Sequence, residues 1–270
     1  MNLNVLVTND DGISAPGLEV AEEIARKIAG ENGCVTTVAP AIDQSGVGHS
    51  ISYLRPSLIT KLSSNRYSVE GTPADCILAG IYHVLKEKKP DLIISGVNKG
   101  HNISEDILYS GTVGAAMEGS LQRIKSISLS QCFSKISLAF PDPFEASRAL
   151  GYEVCDKLIK SVEWTNTHYN TFYNINFPAV RAKEVQGIVA CYQGYRSEGS
   201  FSMKAIDSPH GRTFLWINHK PKNSNTSRKK IFKSDLEGIE SKYITVTPLK
   251  ADLTNYEHLS SLEEKINYEY

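Results

Sequence analysis

The chain has 270 residues and carries 29 Lys and Arg against 30 Asp and Glu, a net charge of −1. That balance excludes a broad electrostatic footprint for a nucleic-acid polymer or an anionic membrane, so any phosphate is met in a local site. At this length roughly three quarters of the unfolded surface is buried without help from disulfides or metals, which leaves any metal free for function.

The five cysteines, Cys34, Cys76, Cys132, Cys155 and Cys191, are odd in number and form no C-x-x-C pair, as suits a reducing compartment. The first residues, MNLNVLVTNDDG, show no basic region leading into an apolar core, and no run of about 18 apolar residues occurs. The sequence therefore reads as a cytoplasmic protein with no membrane partner.

In chain order, Val5 to Val7, Val35 to Ala39 and Leu92 to Ile94 are short apolar runs rich in β-branched residues, the pattern of strands covered on both faces. Leu18, Ala21, Ala25 and Ile28 mark the apolar face of a helix, and Ile77, Leu78, Ile81, Val84 and Leu85 that of a second. The second opens on Thr72-Pro73-Ala74-Asp75, with Thr as cap, Pro at the first helical position and an acid at the third. A third helix is predicted from about Thr112 to Arg123, then a strand from Ser126 to Ser130, a helix from Phe144 to Ser161 and a strand from Phe172 to Phe177. Alternation of this kind builds right-handed β-α-β units, hence a Rossmann-like, doubly wound, mainly parallel α/β sheet over residues 1–180. After about Arg181, Val185 to Tyr192, Arg212 to Ile217 and Tyr243 to Val246 read as strands without long helices between them. Residues 181–270 are thus expected to form a β-rich C-terminal extension serving as an oligomerisation arm, with the polar stretch PKNSNTSRKK as an exposed loop.

Ligands of doubly wound sheets bind beyond the carboxyl ends of the strands, and four loops are predicted there. The first, Thr8-Asn9-Asp10-Asp11-Gly12, follows a hydrophobic strand. Two carboxylates about 4 Å apart repel by roughly 4 kcal/mol at an effective dielectric of 20, so they require a shared proton or a counter-charge such as a divalent cation. The competing reading is that Asn9, Asp10 and Asp11 only cap and turn the chain. The second loop, Ala39 to Ser50, is rich in small and hydroxyl residues and carries Ser45, but lacks the G-x-G-x-x-G dinucleotide fingerprint. The third, Ser95 to Asn102, brings Asn98 and Asn102, whose carbonyl oxygens suit Mg²⁺ or Mn²⁺ rather than zinc. The fourth, Tyr109-Ser110-Gly111-Thr112, enters a helix whose free N–H groups and dipole form an anion site. His49 and His101 fall in these loops, where a solvated histidine is the ordinary reading.

Together these segments resemble the SurE family of survival-protein nucleotidases. The resemblance rests on VLVTNDDGISAPGL, VAPAIDQSGVGHSIS, EGTPADCILAGI and PDLIISGVNKGHNISEDILYSGTVGAAMEG, with weaker echoes in YNINFP and YITVTPLKADLT. It implies a metal-dependent phosphomonoesterase acting on nucleoside 5′- and 3′-monophosphates, some family members also cleaving polyphosphate. It further implies one Mg²⁺ or Mn²⁺ per subunit held by Asp10, Asp11, Ser45 and Asn98. Catalytic roles would fall to Asp10, Asp11 and Asn9, and phosphate binding to Asn102, Ser110, Gly111 and Thr112. The extension would be exchanged between subunits of a homodimer or homotetramer. The chain departs from the family pattern at Ala41, where many relatives carry an acid, and in the polar 220–240 region. A covalent aspartyl phosphatase is disfavoured because its acids stand as Asp-x-Asp. A non-catalytic, metal-dependent nucleotide sensor on the same fold is the alternative.

Overall fold

In the computed structural model, residues 2–164, 169–196, 201–219 and 233–267 are described. The 221–230 loop predicted from sequence lies outside them.

The apolar runs become β1 (Asn4–Thr8), β2 (Cys34–Pro40) and β5 (Leu92–Lys99), joined by β6 (Lys125–Gln131) and β7 (Phe172–Phe177). Each is buried almost throughout, because alternate residues serve opposite layers. Val5 and Val7 pack toward α1 (Pro16–Ala29) and α5 (Glu145–Ser161), while Leu6 joins Ile77 and Ile81 around α2 (Pro73–Ala79). The expected helix faces are those that are buried: Leu18, Ala21, Ala25 and Ile28 all lie inside. At α2 the predicted cap is a full capping box, in which Asp75 N–H donates to Thr72 Oγ1 and Thr72 N–H donates to Asp75 Oδ2. The helix then passes into a π-helical turn, Gly80–Val84.

Two short strands, β3 (Ile59–Ser63) and β4 (Arg66–Val69), were not anticipated; they are brief, and β3 is mostly exposed. Late in the chain lie β8 (Ile188–Ala190), β9 (Phe201–Asp207), β10 (Thr213–His219) and β11 (Ile244–Leu249). The sheet has nine strands in the order β3-β4-β2-β1-β5-β6-β7-β11-β8, parallel from β4 to β7, with β3 antiparallel to β4 and β11 antiparallel to β7. The division expected near residue 180 therefore cuts across this sheet, since β8 and β11 extend it. What stands apart is the antiparallel hairpin β9–β10, together with α7 (Tyr256–Ile266), which buries no residue. Between them runs the short α6 (Asp235–Glu240).

The chain leaves β1 toward β2 on one side and later returns to place β5 on the other. The loops after β1 and β5 thus diverge at a topological switch point, where a crevice opens.

Candidate active site

Four chain segments meet at that crevice. Asn9 and Asp10 continue inward from β1, with exposures of 0% and 3%. The chain turns at Gly12, whose φ of +99° suits glycine, and Asn9 Nδ2 closes the turn on Gly12 O at 2.9 Å. Asn9 Oδ1 is buried with no hydrogen-bond partner among the described residues.

Asp10 faces the start of α4 (Gly111–Leu121). Its Oδ2 accepts the Thr112 N–H at 3.0 Å, and its Oδ1 accepts the Thr112 hydroxyl. Burial pushes its pKa up to about 6 against the pull of these bonds, and the charge of Asp11 adds to the rise. Asp11 Oδ2 accepts the Lys99 N–H at 2.9 Å. Burial raises its pKa too; the Lys99 amide opposes this and Asp43 adds to it. Burial thus disfavours the charge of both adjacent acids, with Lys99 offsetting part of it at Asp11, and a bound cation would relieve that cost.

The remaining oxygen donors come from the second and third loops. Gln44 N–H donates to Asp10 O at 2.7 Å and Gly48 N–H to Tyr109 O at 2.9 Å, which ties the second loop across the crevice. Within it, Ser45 N–H and Oγ both donate to Asp43 Oδ1, at 2.7 and 2.6 Å. At the end of β5, Asn98 Nδ2 donates to Gly100 O at 3.0 Å, so the amide oxygen Oδ1 takes no part in that bond. Carboxylate, hydroxyl and amide oxygens suit a hard divalent cation. Among the described residues no group of three or more His, Cys, Asp or Glu is assembled for a metal.

Asp10, Ser45, Asn98, Asn102 and Ser110 line one cleft of about 560 Å³. Asp11 opens instead onto an adjoining cleft of about 340 Å³, beside Asp43 and Lys99. Asn9, Gly111 and Thr112 sit behind Asp10 and outside the lining of the larger cleft. Ser110 caps α4 by accepting the Val113 N–H at 3.1 Å. Both Thr112 donors are spent on Asp10. Gly111 allows the close approach: a Cβ there would lie 2.9 Å from Asp10 Cβ.

Several participants escaped the sequence. Tyr109, Phe133, Leu138 and Phe201 form an apolar wall, with the Tyr109 and Phe201 rings edge-on at 4.9 Å. Asn174 and Asn176, both fully buried in β7, hold the backbone of Asn102. Their signal was present as two amides at alternate positions of an otherwise apolar strand. The histidines are paired rather than merely solvated: His49 Nε2 lies 2.7 Å from Glu118 Oε2, and His101 Nε2 lies 3.4 Å from Asp106 Oδ2.

The family model described as "Survival protein SurE" matches residues 5–200. The chain belongs to the SurE family. It is 48% identical over 266 residues to a 5′-nucleotidase SurE of Jannaschia sp. (strain CCS1), covering 98% of this chain and 100% of the relative. A 5′-nucleotidase SurE of Cereibacter sphaeroides (strain ATCC 17029 / ATH 2.4.9) is 46% identical over 264 residues, again 98% and 100%. The crystal structure of the Sure protein from Aquifex aeolicus superposes with a TM-score of 0.78 at 34% identity, covering 97% of this chain and 98% of that one. The SurE match spans all four segments of the crevice, and the fold expected from sequence is the one found.

Proposed function

We propose that this SurE-family chain is a nucleotidase that hydrolyses nucleoside 5′- and 3′-monophosphates to nucleoside and phosphate in the larger cleft. Its curated relatives carry the name 5′-nucleotidase. The observation that carries the reading is the adjacent pair Asp10–Asp11, two acids whose pKa values burial raises, at the switch point of the sheet.

Asp10, Asp11, Ser45 and Asn98 would hold one Mg²⁺ or Mn²⁺, which, when bound, neutralises charge on the phosphate oxygens. Thr112 fixes the Asp10 carboxylate, so one acid is immobilised before substrate arrives. Ser110 and Asn102 line the cleft where the phosphate would lie, and the aromatic wall offers faces for a base. Water attacks phosphorus, and the ester oxygen leaves with the nucleoside.

The assembly would be a homodimer or homotetramer through the arm. The β9–β10 hairpin exposes Met203, Phe214, Leu215, Trp216 and Ile217, and an isolated two-stranded hairpin is marginally stable on its own. Cytoplasmic residence is supported by five free thiols. Among the described residues no helix is long and apolar enough to cross a membrane.

The test is phosphate release from ribonucleoside 5′- and 3′-monophosphates, deoxynucleotides and short polyphosphate, on metal-stripped protein with and without Mg²⁺ or Mn²⁺. Metal-dependent release that favours nucleotides is expected. Folded protein that binds the cation and nucleotide yet releases no phosphate would make it the non-catalytic sensor.

A further inference from the structure

Hydrolysis of a nucleotide ester leaves an alkoxide, a base too strong to depart easily without a proton. General acid catalysis of such a step is worth about 10²–10⁴-fold. The ionisable side chains lining the cleft are Asp10, Lys99, His101, Asp106 and Tyr109. Asp10, its pKa raised to about 6, is held by Thr112 and assigned to the cation; of the other residue types only histidine ordinarily gives up a proton near neutral pH. His49 does not compete, since it pairs with Glu118 and does not line the cleft.

His101 is also held. Its Nε2 lies 3.4 Å from Asp106 Oδ2, and its side chain remains 31% exposed. Asp106 opens α3 (Asp106–Tyr109), and its Oδ2 also accepts Arg196 Nη2 at 2.9 Å. The Arg196 side chain is 1% exposed and also reaches Glu105 Oε2 at 3.3 Å, while its backbone N–H donates to Glu105 Oε1 at 2.7 Å. Burial pushes the Asp106 carboxyl up, but the His101 contact and the Arg196 charge outweigh it and hold it below the usual range. The charged groups around His101 are therefore Asp106, Arg196 and Glu105 behind it, with Lys99 and Asp10 also lining the cleft. This is an imidazole with a fixed anion at one nitrogen and open access to the cleft.

We propose, resting on the nucleotidase reading, that His101 donates the proton to the leaving nucleoside oxygen and that Asp106, fixed by Arg196, is the positioning residue for its ring. As the water oxygen bonds to phosphorus, the bond from phosphorus to the nucleoside oxygen breaks with its electron pair on that oxygen. That oxygen takes the proton of the imidazolium. The attacking water releases a proton to solvent, and the neutral imidazole regains one there, so the enzyme is restored.

The experiment measures kcat/KM of the metal-loaded full chain on aryl phosphates whose phenols span a range of acidity, and on a nucleoside monophosphate. In the unsubstituted protein the rate should depend only weakly on phenol acidity, because the leaving oxygen is protonated as it departs. In His101→Gln the dependence should steepen. Nucleotide hydrolysis should fall about 10²-fold, at least about tenfold more than hydrolysis of 4-nitrophenyl phosphate, which needs no proton. Asp106→Asn should lower kcat on the nucleotide and steepen the same dependence while leaving KM in place. A steep dependence in the unsubstituted protein overturns the proposal without any variant, as do equal losses across the series or no loss in a folded His101→Gln. If the unsubstituted protein cleaves aryl esters but no nucleotide, the nucleotidase reading fails, and the slope still judges His101.

Discussion

Thr112 spends both of its donors on one carboxylate: its N–H reaches Asp10 Oδ2 at 3.0 Å and its hydroxyl bonds Asp10 Oδ1. The start of α4 is therefore turned first on a protein acid. The positive end of the helix dipole favours the ionised form of that acid, and burial opposes it.

The outcome of that contest is a pH dependence of the metal-free protein. Asp10 has its pKa raised from 3.8 to about 6. Below about pH 4 it is protonated in both folded and unfolded chains and costs nothing. Between about 4 and 6 the unfolded chain releases the proton while the folded one keeps it, so stability falls as pH rises, and above 6 the full cost of about 3 kcal/mol is present. Metal-free Asp10→Asn should therefore be more stable than the parent at pH 8, with the advantage gone at pH 4. Urea unfolding at the two pH values checks this, and a difference that does not change with pH contradicts it.

Gly111→Ala tests the fit of α4 against the loop after β1 and the start of α2. Alanine is normally the better helix former by about 1 kcal/mol. Here its Cβ would come 2.9 Å from Asp10 Cβ and 3.1 Å from Pro73 Cγ. The packing cost of about 1–3 kcal/mol should outweigh the propensity gain. Differential scanning calorimetry should show a lower Tm, together with a larger loss of metal-dependent phosphate release than the Tm alone explains. A raised Tm would mean that the helix start yields freely.

Asp11→Asn separates charge from structure. The asparagine oxygen can still accept the Lys99 N–H, and removing a carboxylate that burial disfavours costs the fold nothing. Metal-dependent turnover should fall by about 10²-fold or more, since a ligand and a negative charge are lost together. Thermal unfolding should stay at or above that of the parent. Near-normal activity in the folded variant would remove Asp11 from the metal set.

The parallel core was legible because strands buried on both faces read as continuous apolar runs, as at Val5 to Val7 and Leu92 to Ile94. The β3–β4 hairpin was not, since Ile59–Ser63 is exposed and carries little hydrophobic signal. Single loops pointed to residues such as Asp10 and Asn98, which the structure brings to one cleft. The bond between Thr112 and Asp10 was hidden, since it depends on the start of α4 meeting the loop after β1 across 102 residues. Arg196 was hidden for the same reason: its partners Glu105 and Asp106 lie about 90 residues earlier. The placement of β8 and β11 in the main sheet required knowing the register of pairs such as Val246 with Ile175, which composition does not carry.

Asn176 carries the last prediction. Its Oδ1 accepts the Asn102 N–H at 2.8 Å and its Nδ2 donates to Asn102 O at 3.1 Å, while Asn174 Nδ2 donates to the same oxygen at 2.7 Å. Asn102 Nδ2 in turn donates to Ser130 Oγ at 2.8 Å. Asn176→Leu keeps the volume but strands a buried N–H, at a cost of about 1–3 kcal/mol. The Asn102 carbonyl keeps its bond from Asn174, so the loop should shift rather than unfold. Because the variant displaces a cleft residue and leaves the proposed ligands in place, kcat should fall and Mn²⁺ affinity by isothermal titration should not. Equal weakening of both would mean that the amide pair supports the whole third loop, Asn98 included.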